Sequence, residues 1–285
     1  MRNIRDIRRR IQSVRETGKV TRAMEMIASI KMRRAQQRMT LARPYADKIA
    51  EVLSYLAAER LDPEGIHPLL ARRAARRVQF LLLTSDQGLA GGLNAGVHRA
   101  VARRIVDNGL SPTVVAVGRK GRDFAARSGL RIRAQFTGLG DRPGMAAVAP
   151  IAKAVMDDYI AGAADMVLLA YPSFVSTTSQ RPVIETLLPV EPARGVRRPW
   201  HFIFEPDVSS VLAQLLPSYV EARVYAAVLE TIASEQSARM VAMRKATDSA
   251  NDLVRDLTLA YNKGRQDAIT KELLDITGGA RAVAR

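Results

Sequence analysis

The 285-residue chain contains no cysteine. That excludes disulfides, thiolate metal sites, cysteine nucleophiles and thiol-based control. Histidine occurs only as His67, His98 and His201, never at HxxxH or HExxH spacing, so these read as surface or cap residues rather than metal ligands. Aromatic residues are 5% of the chain and are missing from residues 1–44. No apolar run reaches the roughly eighteen residues that span a bilayer. Proline is absent from residues 1–43 and again after Pro217, and Gly18 is the only glycine in the first of these stretches. Two long stretches without helix breakers, one at each end, predict two long helices. No secretory signal is seen. Asp6 and Glu16 interrupt the Arg-rich start, so it reads as mature structure rather than a transit peptide, in a chain made and kept in the cytoplasm.

The C-terminal stretch repeats every seven residues. Tyr219, Ala226, Ala233, Met240, Thr247, Val254, Tyr261 and Ala268 form one row; Ala222, Leu229, Gln236, Met243, Ala250, Leu257 and Gly264 form the other. Such a narrow seam predicts a long helix that pairs with another. From Ser218 to Ile276 it would measure roughly 90 Å at 1.5 Å per residue. At the other end, Ile4, Ile7, Ile11 and Val14 begin a matching stripe, continued by Thr21, Ala28, Met32, Ala35, Met39 and Ala42, with Gly18 and Glu25 as weak points. The predicted fold is an antiparallel coiled coil of residues 1–60 and 208–285 around an inserted α/β domain, 61–207. Two long helices in a larger bundle are the alternative.

The net charge is +16. Residues 1–48 carry 14 basic and 4 acidic side chains, so most of the excess lies on the first helix. A basic helix suits nucleic acid, an acidic protein surface or anionic headgroups. No nucleic-acid-binding motif accompanies it here.

After Pro44 the helix resumes through Tyr45, Ile49, Val52, Leu53 and Leu56, and breaks in Leu61–Pro68. The apolar run Val78–Thr84 predicts a buried strand. A helix over Asn94–Asp107 follows, then a strand at Thr113–Val117, a turn at Gly118–Gly121 and a short helix ending at Gly129. Further elements are a helix at Pro143–Ile160, a strand at Met166–Ala170, an antiparallel edge strand at Arg181–Leu188 and a last strand at Trp200–Phe204. Alternating strands and helices predict a layered, mainly parallel sheet. The loop Ser85–Asn94 (SDQGLAGGLN) has a phosphate-binding look, but it matches neither GxGxxG nor GxxxxGK[ST] and holds no lysine. It reads as a structural tight turn. Ser173, Ser176, Thr177 and Thr178 lack a GxSxG context, so no nucleophile is assigned.

Four segments in order then identify a resemblance: TRAMEMIASIKMRRAQ (residues 21–36), LLTSDQGLAGGLN, SEQSARMVAMRKATDSA (234–250) and YNKGRQDAITKELLDITGGA (261–280). Together they resemble the gamma subunit of the F-type ATP synthase over nearly the whole chain. The last is the most specific, with Ile269, Thr270, Glu272, Asp275, Gly279 and Ala280 at the family spacing. Gln87 and Ala90 depart from the family, which favours a basic residue and a cysteine there. The resemblance implies a non-catalytic rotor shaft without a cofactor, one copy per complex. Its implied partners are three alpha and three beta subunits, the epsilon subunit and the membrane rotor ring, with no nucleic acid. It implies a location on the cytoplasmic side of the cell membrane, held there through the complex. It also implies that Met24, Lys31, Arg239, Arg265, Gln266, Thr270 and Glu272 contact the beta subunit, through transient charge-assisted bonds at the polar positions. Pairing of Asp267 with Lys271, or of Lys271 with Asp275, each four residues apart, is the alternative use of that surface. A nucleotide-binding enzyme and a basic nucleic-acid-binding coiled coil are the competing readings.

Overall fold

A computed structural model of the chain describes residues 4–56, 67–191 and 207–283. Helix α1 (Ile4–Leu56) leads through a 3-10 turn (Pro68–Leu70) to β1 (Val78–Leu83) and α2 (Leu93–Asp107). Then come β2 (Thr113–Val117), α3 (Arg119–Arg127), β3 (Arg131–Phe136), α4 (Met145–Ile160), β4 (Met166–Phe174), β5 (Gln180–Leu188) and α5 (Val208–Val283). The chain divides into two compact units: Met1–Ile27 with Met240–Arg285, and Ala28–Arg239. The division falls inside both long helices. The expected strand at Trp200–Phe204 and most of the expected break at Leu61–Pro68 lie outside the described residues.

In the larger unit the sheet order is β3-β2-β1-β4-β5, parallel except for antiparallel β5. Every residue of β1 is buried. Its side chains alternate between two cores: Phe80 and Leu82 join Val97, Val101 and Ala125 of α2 and α3, while Leu81 and Leu83 join α4 and the long helices. A strand covered on both faces needs no polar alternation, which explains the continuous apolar run. At the end of β2 only glycine fits. Gly118 has φ +90°, and a Cβ there would stand 2.2 Å from the Thr84 carbonyl oxygen. The Thr84 hydroxyl donates to the Val117 carbonyl at 3.0 Å and accepts the Gly121 N–H at 2.7 Å, joining the ends of β1 and β2 to α3.

Ala35, Ile49 and Leu53 of α1 and Leu212, Leu216, Val220 and Val224 of α5 share one core with α4. Pro44 sits inside α1 rather than interrupting it. One missing backbone donor is tolerated where both flanks are anchored in a core. Around residues 227–237, α5 is buried on most of its circumference, not along a seam alone. Its polar residues there are satisfied: the Ser234 hydroxyl donates to the Pro172 carbonyl at 2.9 Å, Ser237 to that of Thr177, and Thr231 to that of Ala227. Asp207 caps the helix by accepting the Ser210 N–H at 2.8 Å and the hydroxyls of Ser209 and Ser210. These bonds hold its carboxyl down at about 2.

The smaller unit is a pair of antiparallel helical segments. Ile4 packs on Gly264, Gly18 on Ala250, Thr21 on Thr247, and Glu25 pairs with Arg244 at 3.4 Å. From Ile4 to Thr21, each step up one helix is matched by an equal step down the other. Met243, Thr247 and Ala250 are buried, and Met240, Val254, Leu257, Tyr261 and Gly264 are half-buried, with mostly exposed residues between. The seven-residue seam is therefore present here. Its two weak points are accommodated: Gly18 lies against Ala250, and Glu25 meets an arginine.

Candidate functional site

The register of the helix pair sets the first candidate surface. Ile4 lies opposite Gly264, so α5 from Arg265 to Val283 runs past the first described residue of α1. Arg265, Gln266, Thr270 and Glu272 are all on this stretch and exposed, and none has a hydrogen-bond or ion-pair partner among the described residues. No ion pair joins Asp267 to Lys271 among the described residues. Ile269, Leu273, Leu274 and Ile276 are exposed on the same stretch. Clustered large apolar side chains on a surface helix mark a binding surface. Met24 is half-buried on α1.

Lys31 and Arg239 sit elsewhere, in the larger unit, where the carboxyl ends of the parallel strands meet α1 and α5. The Lys31 ammonium lies 2.7 Å from Asp141 of the β3–α4 loop, with both side chains at least 40% exposed. The Gln236 amide of α5 donates to the same carboxylate at 3.4 Å. Arg239 is buried, with its side chain 8% exposed; it pairs with Glu235 at 2.6 Å and donates to the Gly88 carbonyl at 3.2 Å. Burial pushes the Glu235 carboxyl up, Arg239 pulls it back, and Asp141 and Asp86 add to the rise.

The Ser85–Asn94 loop is built from its own polar groups. Asn94 accepts the Ser85 N–H at 3.2 Å and donates to the Ser85 hydroxyl at 2.7 Å, which donates to the Gln87 carbonyl. Asp86 accepts the N–H of Arg119 at 3.0 Å and of Gly138 at 2.8 Å, tying three loops together. Leu89 is held at φ +62° and is 62% exposed. Beside the loop lies a cavity of about 150 Å³ whose polar lining includes Thr84, Asp86, Asp141 and Glu235. Three carboxyl groups around one small cavity repel phosphate, which agrees with a structural turn rather than a nucleotide cradle. Sequence reasoning missed Asp141, Glu235 and Gln236. Asp141 lies on the β3–α4 loop and Glu235 and Gln236 on α5, and only the tertiary fold brings them together.

Among the described residues no helix is long and apolar enough to cross a membrane. A family model described as ATP synthase matches residues 3–283. An ATP synthase gamma chain of Dehalococcoides mccartyi is 50% identical over 285 residues, covering 100% of both chains. A chain of the Tetrahymena thermophila mitochondrial ATP synthase central stalk and c-ring is similar at 26% identity and a TM-score of 0.61, over 80% of this chain and 99% of that one. A chain of the Euglena gracilis mitochondrial ATP synthase F1/c-ring assembly shares the fold, at a TM-score of 0.69 and 18% identity over 98% and 94% of the two chains. With its paired end-helices, inserted α/β layers and full-length match, the chain belongs to the ATP synthase gamma chain family.

Proposed function

We propose that the chain is the central rotor shaft of an F-type ATP synthase. It turns with the membrane rotor ring and the epsilon subunit inside a ring of three alpha and three beta subunits, one copy per complex. It is held on the cytoplasmic side of the cell membrane through that complex. The observation that carries this reading is the end of α5, where Ile269, Leu273, Leu274 and Ile276 are exposed beside polar residues. Such a surface is completed by an enclosing apolar partner. As the shaft turns, it presents a different side to each catalytic subunit and so sets the three in different conformations. Met24, Arg265, Gln266, Thr270 and Glu272 make the changing contacts with the beta subunits, and the nucleotide chemistry stays in those subunits.

The test is reconstitution with alpha- and beta-type subunits. The chain is expected to co-purify with them as one copy per ring, to raise their ATP turnover, and to hydrolyse no ATP alone. Turnover by the isolated chain, or steep salt-dependent DNA binding in place of ring assembly, would overturn the reading.

A further inference from the structure

Lys31 and Arg239 stand apart from the other contact candidates because their charged ends are already used inside the chain. We propose that they are positioning residues of an internal clasp. They hold the loops at the carboxyl ends of β1 and β3 against α1 and α5, and load passes between the sheet and the two helices through them. The proposal rests on the shaft reading and adds the route by which the sheet grips the helices.

Three observations carry it. First, the two loops form one body, because Asp86 accepts a backbone N–H from Gly138 at 2.8 Å. Second, that body is held from both helices. Asp141 takes Lys31 from α1 at 2.7 Å and Gln236 from α5 at 3.4 Å, while Gly88 takes Arg239 from α5 at 3.2 Å. Third, the loops contribute little apolar anchoring: Gln87, Gly88, Leu89, Gly138 and Gly140 are exposed, the small Ala90 is the one buried apolar residue of 86–92, and of residues 137–141 only Leu139 packs on the core. Polar contacts therefore set where these loops sit. The two halves of the clasp differ in kind. The Lys31–Asp141 pair is open to water, so it is weak and exchangeable. The Arg239–Glu235 pair is buried, and removing one member strands the other's charge.

Charge exchange and pair replacement test the clasp in the reconstituted complex. Lys31→Glu and Asp141→Lys are each expected to lower ATP synthesis per unit of hydrolytic capacity by about threefold to tenfold, and the double variant to restore it within about twofold, as coupled neighbours do. Amide exchange at residues 86–92 and 137–141 of the full chain should quicken in each single variant and slow again in the double. Replacing the buried pair together, Glu235→Met with Arg239→Met, should preserve folding while freeing the Gly88 carbonyl, so loop exchange quickens and coupling falls. Three results would overturn the clasp: no rescue by the charge exchange, unchanged loop exchange in the singles, or full coupling in the double-Met chain. The shaft reading is decided separately, by whether the unaltered chain assembles and couples.

Discussion

Gly18 and Ala250 face each other across the helix pair so closely that a Cβ added to Gly18 would stand 3.4 Å from that of Ala250. This is van der Waals contact without overlap, and Gly18 lies within continuous helix. Gly18→Ala is therefore expected to stabilise the chain by about 0.5–1 kcal/mol through helix propensity. Gly18→Leu, which cannot fit, should destabilise it. Urea unfolding of the two variants checks both signs, and a lower midpoint for Gly18→Ala would mean that the helices cannot yield even slightly.

Ala250→Pro should be far more damaging. Proline removes a backbone donor and clashes with the preceding turn, costing about 3 kcal/mol or more in a helix interior. The residue is buried in the seam. Limited proteolysis is expected to open the segment around residue 250 while the sheet stays protected, and coupled ATP synthesis should be lost. Normal coupling would show that this stretch need not be a continuous helix.

Arg265→Ala and Gln266→Ala should separate coupling from folding. Both side chains are exposed and have no partner among the described residues, so each change should alter stability by no more than about 0.5 kcal/mol. In the assembled complex each should lower ATP turnover or transmitted torque. Unchanged turnover in both would move the beta-subunit contact to other residues.

His98 predicts an acid sensitivity. Its ring stacks on Phe124 with centroids 4.3 Å apart, and its Nε2 is buried without a hydrogen-bond partner among the described residues. Burial, with Arg127 nearby, lowers its pKa from 6.5 to about 4. The unfolded chain therefore takes up a proton before the folded one does, so stability declines as pH falls from 6.5 towards 4. His98→Phe keeps a ring against Phe124 and should flatten that decline. The checks are NMR titration of His98 and unfolding midpoints at pH 7 and 5; a His98 pKa near 6.5 would remove the basis of the prediction.

Much of the fold was legible because it rests on periodicity. Thr113–Val117 emerges with the expected bounds, and the seven-residue seam is real from Met240 to Gly264. It was a partial guide around residues 227–237, because Thr231, Ser234 and Ser237 look like surface residues yet are buried with backbone partners. Strand β3 was overlooked. Arg131 and Arg133 suggest a loop, although Ile132, Ala134 and Phe136 alternate with them as on a charged edge strand. Of the candidate contacts, Arg265 to Glu272 were nominated by motif alone, and they lie exposed on α5. The engagement of Lys31 and Arg239 could not, since Asp141, Glu235 and Gly88 meet them only through the tertiary fold.

The exposed apolar end of α5 also bears on how many copies a cell can keep. Until other chains enclose it, Ile269, Leu273, Leu274 and Ile276 present large apolar surface to water. The terminal turns of an exposed helix fray, and frayed ends are where proteases cut. Surplus copies should then be cleared from this end first, which matches the number of shafts to the number of rings. Pulse-chase labelling should show a shorter half-life for the chain made without alpha and beta subunits, with trimming that begins beyond Gly264; equal half-lives would show that the bare end is no liability.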